Sequence, residues 1–235
     1  MFFDPIYWLV ILAGMALSGG AQLLVKSRFS KYSQLGTRSH MTGAQIAQAI
    51  LNDNQIHDVS IEPAAGDLTD HYDPSSRTLR LSEPVYSGSS MAAFGIAAHE
   101  VGHAIQHAHG YAPLKFRSAW VPVANTGGGI SMFVILAALF MGGTASVGGT
   151  WMAWAGILLM GATTVFTLIT LPVEFDASRR ALACLQGRYV TDEEYAGASK
   201  VLSAAALTYV AAFATSLMTL LYWAHALGLL GGRDD

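Results

Sequence analysis

Three stretches of this chain contain no Asp, Glu, Lys or Arg: Pro5 to Val25, Ser118 to Val173 and Val201 to Gly232, of 21, 56 and 32 residues. An α-helix rises about 1.5 Å per residue and needs roughly 20 apolar residues to cross the hydrocarbon core, so the stretches predict one, two and one crossings. The middle stretch divides at the glycine-rich Gly142 to Gly149. The expected spans are residues 5–25, 118–142, 150–172 and 203–230. Trp8, Trp120, Trp151, Trp154 and Trp223 fall near their ends, where an indole keeps its ring apolar-side and its N–H wet. With 52% hydrophobic and 12% charged residues, the chain is too apolar for an ordinary soluble domain.

Four spans put both termini on one face and segments 26–117 and 173–200 on the other. Twelve of the thirteen Lys and Arg residues lie in those two segments, leaving Arg233 opposite. The positive-inside rule then makes the polar segments cytoplasmic, with both termini on the outer side of the membrane. The first span lacks a basic leader and a small-residue cleavage site, so it reads as a retained anchor. A net charge of -3 offers no field for nucleic acid, and a single cysteine, Cys184, excludes a disulfide framework and a multi-cysteine metal site.

Residues 26–117 have the composition of a folded polar domain. Thr42 is placed to cap a helix from Gly43 to about Asn52. The alternating runs Val59 to Glu62, Leu68 to Tyr72 and Thr78 to Leu81, separated by Pro, Gly and Asp turns, predict a small sheet whose edge can receive an extended peptide. Ser90 then caps a helix over 90–109, stopped by Gly110 and Pro113.

That helix carries Ala98-His99-Glu100-Val101-Gly102-His103, an H-E-x-x-H sequence. Residues four apart share a helical face, so both imidazoles reach one tetrahedral ion, and Glu100 beside them is placed as the general base for a water in the open position. The apolar run Phe94 to Ala98 would bury the imidazoles, where unligated polar groups are costly. The chemistry indicated is that of a Zn2+-dependent endopeptidase.

Two residues compete to be the third ligand. His109 has the spacing of the pattern H-E-x-x-H-x-x-G-x-x-H, but Gln106 stands where a glycine must turn the chain. His107 is one turn beyond His103 and would need the helix to bend around the ion. Glu174 is better placed. It is the first charged residue after the 56-residue neutral stretch, and two intervening crossings return it to the membrane face of His99 and His103. Two His and one Glu leave one position free for water.

Leu68-Thr69-Asp70-His71-Tyr72-Asp73-Pro74, Leu79 to Tyr86, the H-E-x-x-H helix, Val121 to Asn125, the opening Met1 to Pro5 and Leu171 to Ser178 together resemble the YugP-type neutral zinc metallopeptidases of bacterial membranes. More distantly, the order H-E-x-x-H, two spans, then Glu is similar to the HtpX heat-shock proteases and the CAAX prenyl proteases. The resemblance implies a zincin-like, gluzincin-type peptidase acting on peptide or protein substrates. Those distant relatives place an Asp four residues after the ligand Glu to support a metal-bound His; here Ser178 stands there, so Ser178, Asp176 or a group elsewhere in the chain is expected to orient an imidazole. Arg179 matches an arginine of the relatives, and Arg179 or Arg180 is expected to steady a substrate carboxylate or an oxyanion. His71, between Asp70 and Asp73, is a further candidate for substrate binding.

The expected fold is mainly α: a polytopic membrane protein of about four transmembrane helices with a cytoplasmic α+β catalytic domain containing a short β-sheet. Two alternatives stand beside a peptidase working at the membrane surface: an intramembrane protease, and a scaffold or chaperone with a structural zinc. The lipid bilayer is a partner of the chain on any reading. Small-residue runs such as Gly127 to Gly129 admit an oligomer or a regulatory membrane partner.

Overall fold

The computed structural model describes residues 4–230. Met1, Phe2 and Phe3, which open the resemblance, and Arg233, the one basic residue expected opposite the other twelve, lie outside the described residues. In chain order the elements are α1 (Pro5–Ser33), α2 (Gly43–Asp53), β1 (Ser60–Ala64), β2 (His71–Asp73), β3 (Thr78–Ser82), α3 (Glu83–Tyr86), α4 (Met91–Ala108) and α5 (Ala112–Phe140). A short 3-10 turn (Gly143–Ala145), α6 (Val147–Leu185) and α7 (Asp192–Ala226) complete the order.

The fold is mainly helical. Among the described residues α1, α5, α6 and α7 are long and apolar enough to cross a membrane. Each runs beyond its neutral stretch, because helix-forming charged residues extend a helix after the apolar pattern ends: α1 continues to Ser33, and α7 begins at Asp192 with three acidic residues in its first turn, where they complement the helix dipole.

The chain forms two units. Among the described residues the first comprises 4–20, 116–171 and 208–230. Its core gathers Ile135, Ala138, Ala153, Ile157, Tyr222 and Trp223. Large apolar side chains such as Phe133, Phe140, Trp151 and Leu158 are exposed, as suits a surface solvated by lipid. Gly127 meets the Leu159 carbonyl so closely that an added Cβ would lie 2.9 Å from it, so this small residue serves packing within the chain.

The second unit comprises residues 21–115 and 172–207. Thr42 caps α2 by accepting from the Gln45 amide, while the Gln45 side chain returns the bond to the Thr42 amide. The sheet order is β1-β3-β2: β1 pairs parallel with β3, and β2 pairs antiparallel with β3. This small mixed sheet lies outside the four long helices. The buried face of α2 (Ile46, Ile50, Leu51), Leu79 and Leu81 of β3, and Phe94, Ala97, Ala98 and Val101 of α4 form one core with Ala181, Leu185 and Ala198. Ser90 accepts from the Ala93 amide to cap α4, and Gly110, at φ 63°, follows its end.

Candidate metal centre

α4 is buried over most of its length, so its polar side chains must find partners or a ligand. Its residue Gly102 is where α6 comes closest: a Cβ there would stand 2.4 Å from the carbonyl oxygen of Ala177. Only glycine admits that approach, and it brings Glu174, one turn before Ala177, against the two histidines.

His99, His103 and Glu174 form the cluster among the described residues, each offering one ligand atom within 4.8 Å of the others. His99 Nε2 is 3.3 Å and His103 Nε2 is 3.5 Å from the same oxygen, Glu174 Oε2. The two rings stand nearly perpendicular, with centroids 4.8 Å apart. These separations fit a metal. A tetrahedral zinc with bonds of about 2.0–2.1 Å holds its ligand atoms about 3.3–3.4 Å apart. Charge-assisted hydrogen bonds would instead draw N and O to about 2.7–2.9 Å. The neutral-imidazole and carboxylate donor set is also that of a catalytic zinc site.

The cluster is sheltered. Glu174 is 2% exposed and Glu100 7%. Among the described residues no hydrogen bond or ion pair engages the Glu100 carboxylate, which leaves it free for a ligand or water. Burial draws the His103 imidazole down, but its bond to Glu174 and the charges of Glu100 and Glu174 prevail and hold it above the ordinary histidine range. A field that favours a proton at that nitrogen also favours a cation. Asp70, just before β2, accepts from the Ser82 amide and hydroxyl, while burial and the neighbouring charge of Glu100 push its carboxyl up.

The other candidates fall in different places. Ser178 Oγ lies 3.1 Å from His99 Nδ1, so Ser178 touches a ligand. Asp176 touches neither histidine; it is buried, paired with Arg179 and Arg180, and accepts from Gln106 Nε2 at 3.0 Å. Both arginines are thus engaged by Asp176, with the Arg179 side chain 78% exposed. His71 is exposed and bonded to the Thr69 carbonyl. His107 bonds the Tyr72 hydroxyl at 2.8 Å, and His109 caps α4 near Arg180, so neither joins the cluster. Gln106, which stands where a glycine would turn the chain toward His109, has its Oε1 3.0 Å from His103 Nδ1, a contact the motif alone does not predict. Its signal was spacing: a polar residue three positions after a ligand, on a buried helical face.

The family model described as Putative neutral zinc metallopeptidase matches residues 7–228. The chain is also 45% identical over 225 residues to the Putative membrane protease YugP of Bacillus subtilis (strain 168), covering 95% of this chain and 96% of that protein. No solved structure matches. With a family match over nearly its whole length and the H-E-x-x-H residues and Glu174 gathered into one cluster, the chain belongs to the neutral zinc metallopeptidase family.

Proposed function

We propose that the chain hydrolyses peptide bonds of membrane or membrane-associated proteins, with zinc held by His99, His103 and Glu174 and with Glu100 as general base. The observation that carries this reading is the 3.3 and 3.5 Å spacing of both imidazoles from one Glu174 oxygen, with the buried, unpartnered Glu100 next to His99 in the chain. When bound, zinc supplies a Lewis acid that polarises the scissile carbonyl and makes water acidic near neutral pH. Glu100 takes the proton of the attacking water and delivers it to the leaving amine. Ser178 and Gln106 hold the outer nitrogens of the two imidazoles, so the rings keep their aim. The edge strand β2 packs against α4, and its free side offers backbone groups to an extended substrate. His71 on that strand is placed to meet such a substrate, and Arg179, with most of its side chain in solvent, to meet a carboxylate. The distribution of Lys and Arg supports a site on the cytoplasmic side of a bacterial inner membrane, with both termini outside.

Metal content of the purified protein, with cleavage of an unfolded test protein in parallel, tests the roles together. About one zinc per chain is expected in wild type, lost in His103→Ala, weakened in Glu174→Ala, and kept without activity in Glu100→Gln. Zinc undiminished by Glu174→Ala would remove the third ligand, and a wild type without zinc would sink the reading. Full activity in Glu100→Gln would leave a structural zinc instead.

A further inference from the structure

We propose that Gln106 is a positioning residue of the metal site: its amide fixes which nitrogen of His103 faces the metal and ties α4 to the turn of α6 that bears Glu174. This rests on the zinc reading above.

Gln106 is 0% exposed, so no water competes for its amide. A glutamine amide has one accepting oxygen and one NH2 group with two protons. Three partners surround it: His103 Nδ1 at 3.0 Å, the Val173 carbonyl at 2.8 Å and Asp176 Oδ2 at 3.0 Å. The Val173 carbonyl can only accept, and the Asp176 carboxylate, paired with Arg179 and Arg180, also only accepts. The NH2 group must therefore face those two. Rotating the amide by 180° would break both bonds, set its oxygen against two acceptors and turn its NH2 group toward His103.

The orientation of the amide thus determines the imidazole. Gln106 Oε1 accepts, so His103 Nδ1 carries the proton, and Nε2, the nitrogen on the Glu174 side, presents its lone pair. A metal ligand needs that form. His99 is not constrained in this way, because the Ser178 hydroxyl can donate or accept. The partners on α6 matter as well. Val173 and Asp176 stand on either side of Glu174 in sequence, so one side chain from α4 grips the turn that presents the third ligand. A neutral amide does this while linking His103 to the Asp176 carboxylate without adding a buried charge beside Glu100 and Glu174.

The test is zinc affinity of the full chain in detergent, by competition with a chromogenic chelator, together with the visible absorption of the cobalt-loaded protein. Gln106→Met keeps the volume and removes every polar partner; it should weaken zinc by about 10–100-fold and change the cobalt bands. Gln106→Glu sets a carboxylate against Asp176 and should also weaken binding. Adding Asp176→Asn to it returns a donor between the two side chains and should restore part of the affinity and the wild-type cobalt spectrum. Wild-type affinity and spectrum in Gln106→Met would overturn the proposal, as would a double variant no better than Gln106→Glu, which would mark a loss of packing alone. A wild type that binds no zinc would instead refute the underlying reading.

Discussion

Replacing Gly102 by alanine tests whether the approach of α4 and α6 sets the metal site. The new Cβ would stand 2.4 Å from the Ala177 carbonyl oxygen, where ordinary contact begins at 3.4 Å, and the obstacle is backbone that no rotamer relieves. The helices must part by about 1 Å, an overpacking strain of about 1–3 kcal/mol. Glu174 lies one turn from Ala177 and moves with it, lengthening its present 3.3 and 3.5 Å separations from the two imidazoles. The metal-free protein can relax into the parted arrangement, but a zinc ion that holds its ligand atoms about 3.3–3.4 Å apart must draw the helices back. The strain is then charged against binding, and the zinc affinity of Gly102→Ala should fall roughly 5- to 150-fold. Chelator competition measures this, with Gly129→Ala as control, since a Cβ there meets nothing within 4 Å. Wild-type zinc affinity in Gly102→Ala, with an unchanged melting temperature, would show that the close approach does not position Glu174.

Three further predictions concern the surroundings of the site. Asp70 has a folded pKa raised above its ordinary 3.8, so the folded chain binds more protons than the unfolded one between 3.8 and that raised value. Its contribution to stability therefore declines as pH rises through this window, and Asp70→Asn should flatten the decline in melting scans of the metal-free protein from pH 4 to 7. Removing Arg180 leaves the buried Asp176 with the largely exposed Arg179 as its one remaining cationic partner among the described residues, so Arg180→Met should cost about 1–3 kcal/mol by denaturant or thermal unfolding, while Arg179→Ala should cost under about 1 kcal/mol. Tyr72→Phe removes the 2.8 Å bond to His107 and should destabilise by about 1 kcal/mol in the same assay, with zinc affinity unchanged because His107 is outside the cluster.

The membrane-crossing helices were legible because partition into lipid is a sum over side chains: a run of some 20 residues without charge identifies a span whatever its neighbours do. The sum marks where lipid ends, not where the helix ends, which is why α6 carries on through Glu174 and Asp176 to Leu185. Caps were legible for a related reason, since Thr42 and Ser90 each act on the amide three residues away. The sheet was not legible in its order. Turn residues located three strands, but β3 lies between β1 and β2 and runs parallel to β1, a choice made by the burial of Leu79 and Leu81 against α2 and α4 rather than by any local signal.

The metal ligands were legible because H-E-x-x-H is a local geometry and Glu174 follows from counting crossings. What orients them was not, because it depends on which helix faces which. Ser178 and Asp176 were expected as alternatives for one task, and the structure gives them separate ones: Ser178 meets His99 directly, while Asp176 reaches His103 only through Gln106. Charge explains why the arrangement suits a divalent cation. Asp176 is balanced by its two arginines, and Asp70 is held toward its neutral form. Glu100 and Glu174 are two buried carboxylates beside imidazoles that must stay neutral to ligate. A single proton on His103 offsets one negative charge only. An ion of charge +2 offsets two, and leaves His103 the deprotonated nitrogen that the Gln106 amide already imposes.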